Sequence, residues 1–391
     1  MVSRQNVAIL GSTGSVGIST LEVIRHNPSK FRAFALVANT NVEKMFEQCV
    51  EFKPEVVCLA SEDAAKALSL KLENNRINCT VLTGLESIED IVRSNSVDSV
   101  MAAIVGSAGL RSTLEAAKAG KKIMLANKES LVMAGDLLTN LVQKNKGLLL
   151  PIDSEHNAIF QVLPSNYGRD PKRHGIKKII LTASGGPFLH FHKSKLKTVN
   201  PTEACEHPTW KMGKKISVDS ATMMNKGLEV IEASYLFNLS SEQIEVLIHP
   251  ESIIHSLVEY IDGSTLAQLG TPDMKTPISY SLGFPERIKS FSPNLSLSEI
   301  GKLSFLEPDL DKFPCLALAY QALNSGGRSL IYLNAANEVA VAEFLNHSLD
   351  FTSISTIIEK VLNHLPNAPI ENLDDILEAD KMARNSAFEL I

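Results

Sequence analysis

The chain has 391 residues, enough for two or three domains with ample buried core. Its 44% hydrophobic and 21% charged content is that of a soluble globular protein, and a net charge of −6 leaves no broad basic field for nucleic acid. Five cysteines with no C-x-x-C pair argue against a disulfide framework or a thiolate zinc site and for a reducing compartment; no apolar run approaches the roughly 20 residues that span a bilayer.

A strand signal begins at Val7, which leaves no room for a signal or transit peptide, so a cytoplasmic, bacterial-style protein is expected. Apolar runs at 7–10, 33–38, 56–60, 81–83, 97–105, 123–126 and 148–152 alternate with helical periods such as 20–26 and 42–49. Short continuous apolar strands between helices predict a doubly wound parallel sheet, covered on both faces. Gly11-Ser-Thr-Gly14-Ser-Val-Gly17 follows the first strand and opens a helix. Glycines there allow a tight turn and close backbone approach, and the helix N-terminus offers free N–H groups to a pyrophosphate. The plain alternative is a merely tight turn. Between 33 and 42 there is no acid to bind a ribose 2′-hydroxyl, whereas Asn39, Thr40 and Asn41 at the strand end suit a 2′-phosphate. NADP is therefore expected over NAD.

Pro151-Ile-Asp153-Ser-Glu155-His follows the last strand of this half. If the chain stays extended, Asp153 and Glu155 face the same way, and two adjacent carboxylates repel unless a cation joins them or one is protonated. With no cysteine nearby the guest would be a hard divalent ion. A helix N-terminus capped by Asp153 or Ser154 is the competing reading.

From residue 148 the pattern becomes α+β. Strand candidates at 178–182, 244–248, 254–261 and 265–269 come with fewer helices, and Asp262-Gly263 between the last two is a hairpin signal. Ser184-Gly-Gly-Pro forms a second turn able to present N–H groups and a hydroxyl to phosphate. Residues 188–213 are polar, rich in His and Lys and not periodic, which predicts a long loop or lid. It holds His207 and the chain's only tryptophan, Trp210, which either anchors the loop in a groove or closes over a substrate. His255, on an alternating strand, reads as a core histidine. The stretch 216–229 packs Ser220, Asn225, Lys226 and Glu229 into what reads as a strand-to-helix transition, with Glu232 on the same helix face. Its plain alternative is a capped amphipathic helix. Residues 285–314 read as a connector, and helical periods at 316–323, 333–345, 354–364 and 372–388 predict a small helical domain. The expected division is a nucleotide domain at 1–150, a catalytic domain with the lid at 151–285, a connector at 286–312 and a helical domain at 313–391.

These blocks, with Leu125-Ala-Asn-Lys-Glu-Ser, His207-Pro-Thr-Trp-Lys-Met-Gly and Thr271-Pro-Asp-Met-Lys-Thr-Pro, resemble 1-deoxy-D-xylulose 5-phosphate reductoisomerases, NADPH-dependent enzymes of the non-mevalonate isoprenoid route. The resemblance covers essentially the whole chain. It implies a Rossmann-like NADP domain, a central α+β catalytic domain and a C-terminal helical domain, working as a homodimer on a small sugar phosphate, with neither nucleic acid nor membrane as partner. It further implies Asp153, Glu155 and Glu229 as ligands of Mg²⁺ or Mn²⁺, with Co²⁺ a further candidate. Ser184, Ser220, Asn225 and Lys226 would clamp the phosphate. Lys128, Ser154 and His207 would touch substrate, and Trp210, Met212 and Met274 would line the closed site. Lys128, Asp153, Glu155, His207 and Glu229 would be the catalytic set. Gly11, Thr13, Gly14, Ser15, Val16, Gly17, Asn39, Thr40, Asn41, Asn127, Glu129 and Gly213 would contact NADPH. The chain departs from the family at Thr40, where a basic residue is expected near the 2′-phosphate, and at Glu206, a lid position often basic in relatives. Two other readings remain: an NADP-dependent semialdehyde dehydrogenase using Cys205 as its thiolate, and a non-catalytic NADP-binding regulator.

Overall fold

Seven strands of four to eight residues, most of them buried on both faces, make the first sheet: β1 (Gln5–Leu10), β2 (Phe31–Ala38), β3 (Val56–Leu59), β4 (Thr80–Thr83), β5 (Ser99–Ala102), β6 (Lys122–Leu125) and β7 (Leu148–Pro151). The computed structural model describes residues 4–210 and 212–391. Every pairing is parallel and the order is β4-β3-β2-β1-β5-β6-β7. The chain winds outward from β1 to β4, then returns to the other side of β1 at β5. That reversal makes the carboxyl ends of β1 and β5 a topological switch point, where open α/β sheets bind ligands. All seven predicted strands are present. The one foreseen at 97–105 is confined to Ser99–Ala102, because the chain bends at Gly106 (φ +73°) into a 3-10 turn, Ser107–Gly109.

A second sheet comprises β8 (Ile176–Ala183), β9 (Ile244–Ile248), β10 (Ile254–Tyr260) and β11 (Thr265–Leu269), in the order β11-β10-β8-β9. β8 pairs with β9 in parallel, while β10 runs antiparallel to both β8 and β11. The β10–β11 hairpin turns at Asp262-Gly263: the Asp262 carboxylate accepts from the Ser264 N–H at 2.9 Å and Gly263 takes φ +86°. The parallel β8–β9 pair needs a crossover. It is built from the segment after Ser184 and two helices, Lys214–Ala221 and Met224–Phe237.

Residues 285–312 carry one short helix, Leu297–Ile300, and a single bridge from Leu306 to Ile248. Four helices follow: Pro314–Ser325, Arg328–Leu345, Ser353–His364 and Leu373–Glu389. The first two are split at Gly326-Gly327, both at positive φ.

Internal contacts divide the chain into two units. One comprises Met1–Ser130, Leu137–Asn157 and Asp273–Pro293; the other comprises Leu131–Asp136, Ala158–Pro272 and Asn294–Ile391. The first unit has a continuous apolar core on the β1–β3 side of its sheet, including Val7, Ile9, Leu36, Met45 and Leu59, with the helix Lys275–Gly283 contributing Ile278 and Leu282. The second unit contains the mixed sheet and the C-terminal helices. Among the described residues no helix is long and apolar enough to cross a membrane.

Candidate active site

In the first unit the turn after β1 is shaped by its glycines. A methyl group on Gly11 (φ +86°) would lie 2.5 Å from the Ala103 carbonyl oxygen, just beyond β5. One on Gly17 would lie 2.4 Å from the Gly11 carbonyl oxygen. Glycine is thus imposed by the packing of turn on helix and of turn on neighbouring strand, as a dinucleotide turn requires. The Gly11 and Ser12 N–H groups donate to the Val37 carbonyl at 2.9 and 2.8 Å, which sets the turn beside β2. Thr13 to Val16 are half-buried or exposed, and the helix Ser15–His26 begins at Gly14 with no side-chain cap, leaving its first N–H groups to a ligand. Sequence reasoning missed Gln48, a buried amide that braces this turn by donating to the Ser12 carbonyl at 2.8 Å. A polar residue on the apolar face of its helix was the available signal.

Asn39, Thr40 and Asn41 lie exposed beyond the end of β2. Asn41 also acts locally, since its side chain caps the helix Val42–Phe52 by accepting from the Lys44 N–H at 3.1 Å. Asn127 is buried, donates to the Ile104 and Gly106 carbonyls and accepts from the Ser130 N–H at 3.1 Å. It pins the loop after β5 to the helix Glu129–Lys144. Glu129, also buried, opens that helix. Met274 stands at the start of Lys275–Gly283 and packs on the core of the nucleotide unit.

The extended path expected for 151–156 is not what forms. β7 stops at Pro151 and the helix Ser154–Val162 starts at once, with Asp153 accepting from the Glu155 N–H at 3.3 Å. Capping outweighs extension because the carboxylate satisfies an otherwise orphaned helical N–H. Asp153 and Glu155 are nevertheless held at one helix N-terminus. Lys128 Nζ lies 2.5 Å from Asp153 Oδ2, and the Ser154 hydroxyl donates to Glu155 at 2.9 Å. His156, fully buried, lies 3.5 Å from the other Asp153 oxygen.

In the second unit, residues 216–229 also differ from expectation. They form no strand but a helix–turn–helix, Lys214–Ala221 then Met224–Phe237, joined through Met223 at φ +62°. Ser220 lies in the last turn of the first helix; Asn225 and Lys226 lie in the first turn of the second, where helix N–H groups and dipole favour an anion. Lys226 and Glu229 form a buried ion pair, 6% and 1% exposed, and Asn225 donates to Glu229 at 2.5 Å. Glu232 is buried one turn on. The Ser184 turn lies against Ser220: a methyl group on Gly186 would come within 2.8 Å of the Ser220 carbonyl oxygen. His255 is buried on β10, as a core histidine should be.

The loop 188–213, apart from residue 211, forms a 3-10 turn, Lys193–Thr198, and a short helix, Pro201–Cys205, opened by a capping box at Asn200 and Glu203. His207 Nδ1 accepts from the Thr209 and Trp210 N–H groups at 3.1 and 2.9 Å, so its proton resides on Nε2 and is donated to Ser184 Oγ at 2.9 Å. Burial pushes the imidazole down to about 4, which keeps it neutral. The Ser184 oxygen accepts from the Gly186 N–H as well, at 3.2 Å, leaving its hydroxyl hydrogen to point at a ligand oxygen. Trp210 and Met212 are half-buried, and Gly213 begins the helix Lys214–Ala221. Burial pushes the Cys205 thiol up, the reverse of what an activated nucleophile needs, which removes the ground for a semialdehyde dehydrogenase.

A dinucleotide turn at a sheet switch point and a cluster of hydroxyl, amide and ammonium groups define a nucleotide-dependent enzyme for a small anionic substrate. The family model described as 1-deoxy-D-xylulose 5-phosphate reductoisomerase matches residues 7–135. Those for its C-terminal domains match residues 149–237 and 269–386. The 1-deoxy-D-xylulose 5-phosphate reductoisomerase of Nitrosospira multiformis is 53% identical over 389 residues, covering 100% of this chain and 98% of that one. That of Dechloromonas aromatica is 52% identical, covering 99% and 97%. A crystal structure of DOX-P reductoisomerase in complex with NADPH, fosmidomycin and magnesium aligns with TM-score 0.93 at 49% identity, covering 98% of each chain. The Zymomonas mobilis enzyme in complex with NADPH aligns with TM-score 0.92 at 41% identity, covering 100% and 99%. The chain belongs to the 1-deoxy-D-xylulose 5-phosphate reductoisomerase family, and it is an NADP-dependent oxidoreductase.

Proposed function

We propose that the chain converts 1-deoxy-D-xylulose 5-phosphate to 2-C-methyl-D-erythritol 4-phosphate with NADPH and a divalent cation, the step that commits carbon to isoprenoid precursors. The observation that carries this reading is the turn between Ser220 and Asn225-Lys226, with the Ser184 loop against its Ser220 backbone, in a chain about half identical to reductoisomerases over its whole length. Three hydroxyl and amide donors and one buried ammonium suit a phosphate monoester.

Gly11, Gly14 and Gly17 with Thr13, Ser15 and Val16 would hold the NADPH pyrophosphate, and Asn39 to Asn41 its 2′-phosphate. Glu129 and Gly213 are assigned to the same cofactor. Asn127 is assigned to it too, through the loop that it pins. Asp153, Glu155 and Glu229 would hold the metal. Their donor set is oxygen alone, which suits a hard divalent ion, and that ion would compete with the Lys128 and Lys226 ammonium groups for Asp153 and Glu229. Mg²⁺ is the ion in the related crystal structure, and Mn²⁺ or Co²⁺ fits the same donors. When bound, the ion supplies a Lewis acid for the substrate carbonyl, and the nicotinamide supplies hydride.

The remaining work falls to side chains. The clamp fixes the phosphate end, so that binding energy positions the reacting carbons. The skeleton rearranges by retro-aldol cleavage and re-addition to a branched aldehyde, which is then reduced. Lys128, beside Asp153, keeps a positive charge near the developing alkoxide. Neutral His207 orients the Ser184 hydroxyl, and Trp210, Met212 and Met274 exclude water. Division into domains at 1–150, 151–285 and 313–391 with a connector at 286–312, a homodimer and a cytoplasmic location complete the proposal. The dimer is supported by β11, an edge strand bearing exposed Leu266 and Leu269 beside exposed Ile261. Glu229→Gln should abolish metal-dependent turnover while leaving NADPH affinity nearly unchanged; normal turnover would remove Glu229 from the metal.

A further inference from the structure

Asp219 precedes Ser220 and is 1% exposed, yet neither the metal nor the clamp uses it. A carboxylate so placed is costly unless fully paired. It is paired from two sides. Lys215, one turn earlier on the same helix, lies 2.8 Å from Oδ2. Asn337, fully buried on the helix Arg328–Leu345, donates its amide to Oδ1 at 2.8 Å from 118 residues away in sequence. The backbone of Asp219 is engaged as well: its carbonyl accepts from the Thr222 hydroxyl at 3.2 Å, and the Thr222 oxygen accepts from the Met224 N–H at 3.3 Å. These bonds enclose the turn at Met223, whose positive φ is an uncommon conformation for a residue with a side chain. Ser220 lies on one side of that turn, Asn225 and Lys226 on the other.

We infer that Asp219 and Asn337 are positioning residues for the phosphate clamp, through which the C-terminal helices set the affinity for the sugar phosphate. The inference rests on the clamp reading above. Neither side chain touches substrate. Asn337 anchors Asp219, Asp219 fixes the turn, and the turn sets Ser220 against Asn225 and Lys226 in the spacing of one phosphate.

The test compares Asp219→Asn, Asn337→Leu and the exchanged pair Asp219→Asn with Asn337→Asp, alongside Lys226→Ala. Each single variant should raise KM for deoxyxylulose 5-phosphate by roughly tenfold, the scale of one lost charge-assisted hydrogen bond. Their kcat should stay within about threefold and NADPH affinity should not change, a split that general loss of structure does not produce. The exchanged pair restores a carboxylate–amide bond and should recover much of the lost KM. Should Asn337→Leu not fold, Asn337→Ser replaces it. An unchanged KM in the single variants with a raised KM in Lys226→Ala overturns this inference alone. An unchanged KM in Lys226→Ala overturns the clamp reading, and this inference with it.

Discussion

Gly17 shows how far one residue type can be dictated by packing. A methyl group there meets the backbone of both Gly11 and Ser12 well inside van der Waals contact, with no flexible side chain that could yield. Gly17→Ala should therefore lower NADPH affinity at least tenfold and destabilise by about 1–3 kcal/mol, read by nucleotide titration and thermal unfolding. Unchanged affinity would contradict the assignment of this turn to the cofactor. The glycine spacing was legible in sequence because steric demand acts residue by residue. Asp153 and Glu155 were less so: over three residues an extended segment and a capped helix start look alike, and only the backbone decides. The partners of Asn127 and Gln48 were opaque, because they are backbone groups, which leave no trace in side-chain patterning; only the place of Gln48 on an apolar helix face hinted at a role.

At the scale of elements, the alternation of short apolar runs with helical periods disclosed all seven strands of the parallel sheet, and Asp262-Gly263 disclosed the hairpin. Of the helix–turn–helix at 214–237 the second helix was foreseen and the first was read as a strand, since eight residues give too few turns for a helical period to stand out. The lid offers a pH prediction. Its folded arrangement uses His207 Nδ1 as acceptor for two N–H groups, which only the neutral ring can provide. The folded pKa is lowered to about 4 by burial, against roughly 6.5 for a free imidazole. An opened or unfolded lid therefore binds the proton first. This arrangement keeps its full stability above about pH 6.5, weakens as pH falls from there toward 4, and loses no more below it. Fluorescence of Trp210, the chain's only tryptophan, should change over that interval in the native chain and stay flat in His207→Gln. A flat native profile would exclude the neutral-histidine lid.

For the whole molecule, family resemblance carried the reading of sequence to a reaction, and the fold explains why the signal is spread along the chain. Nucleotide turn, the Asp153–Glu155 pair, clamp and lid lie on separate elements, and Glu229 shares its helix with Asn225 and Lys226. If β11 pairs with its copy, Leu266→Lys should shift sedimentation from dimer towards monomer; an unchanged dimer would place the interface elsewhere. The most direct test of the central claim is NADPH oxidation followed by absorbance with deoxyxylulose 5-phosphate, in EDTA and after restoring Mg²⁺ or Mn²⁺. The account predicts no oxidation in EDTA and full recovery on metal addition. Failure to consume NADPH under any metal, with the nucleotide still bound, would leave the nucleotide domain standing and contradict the reaction.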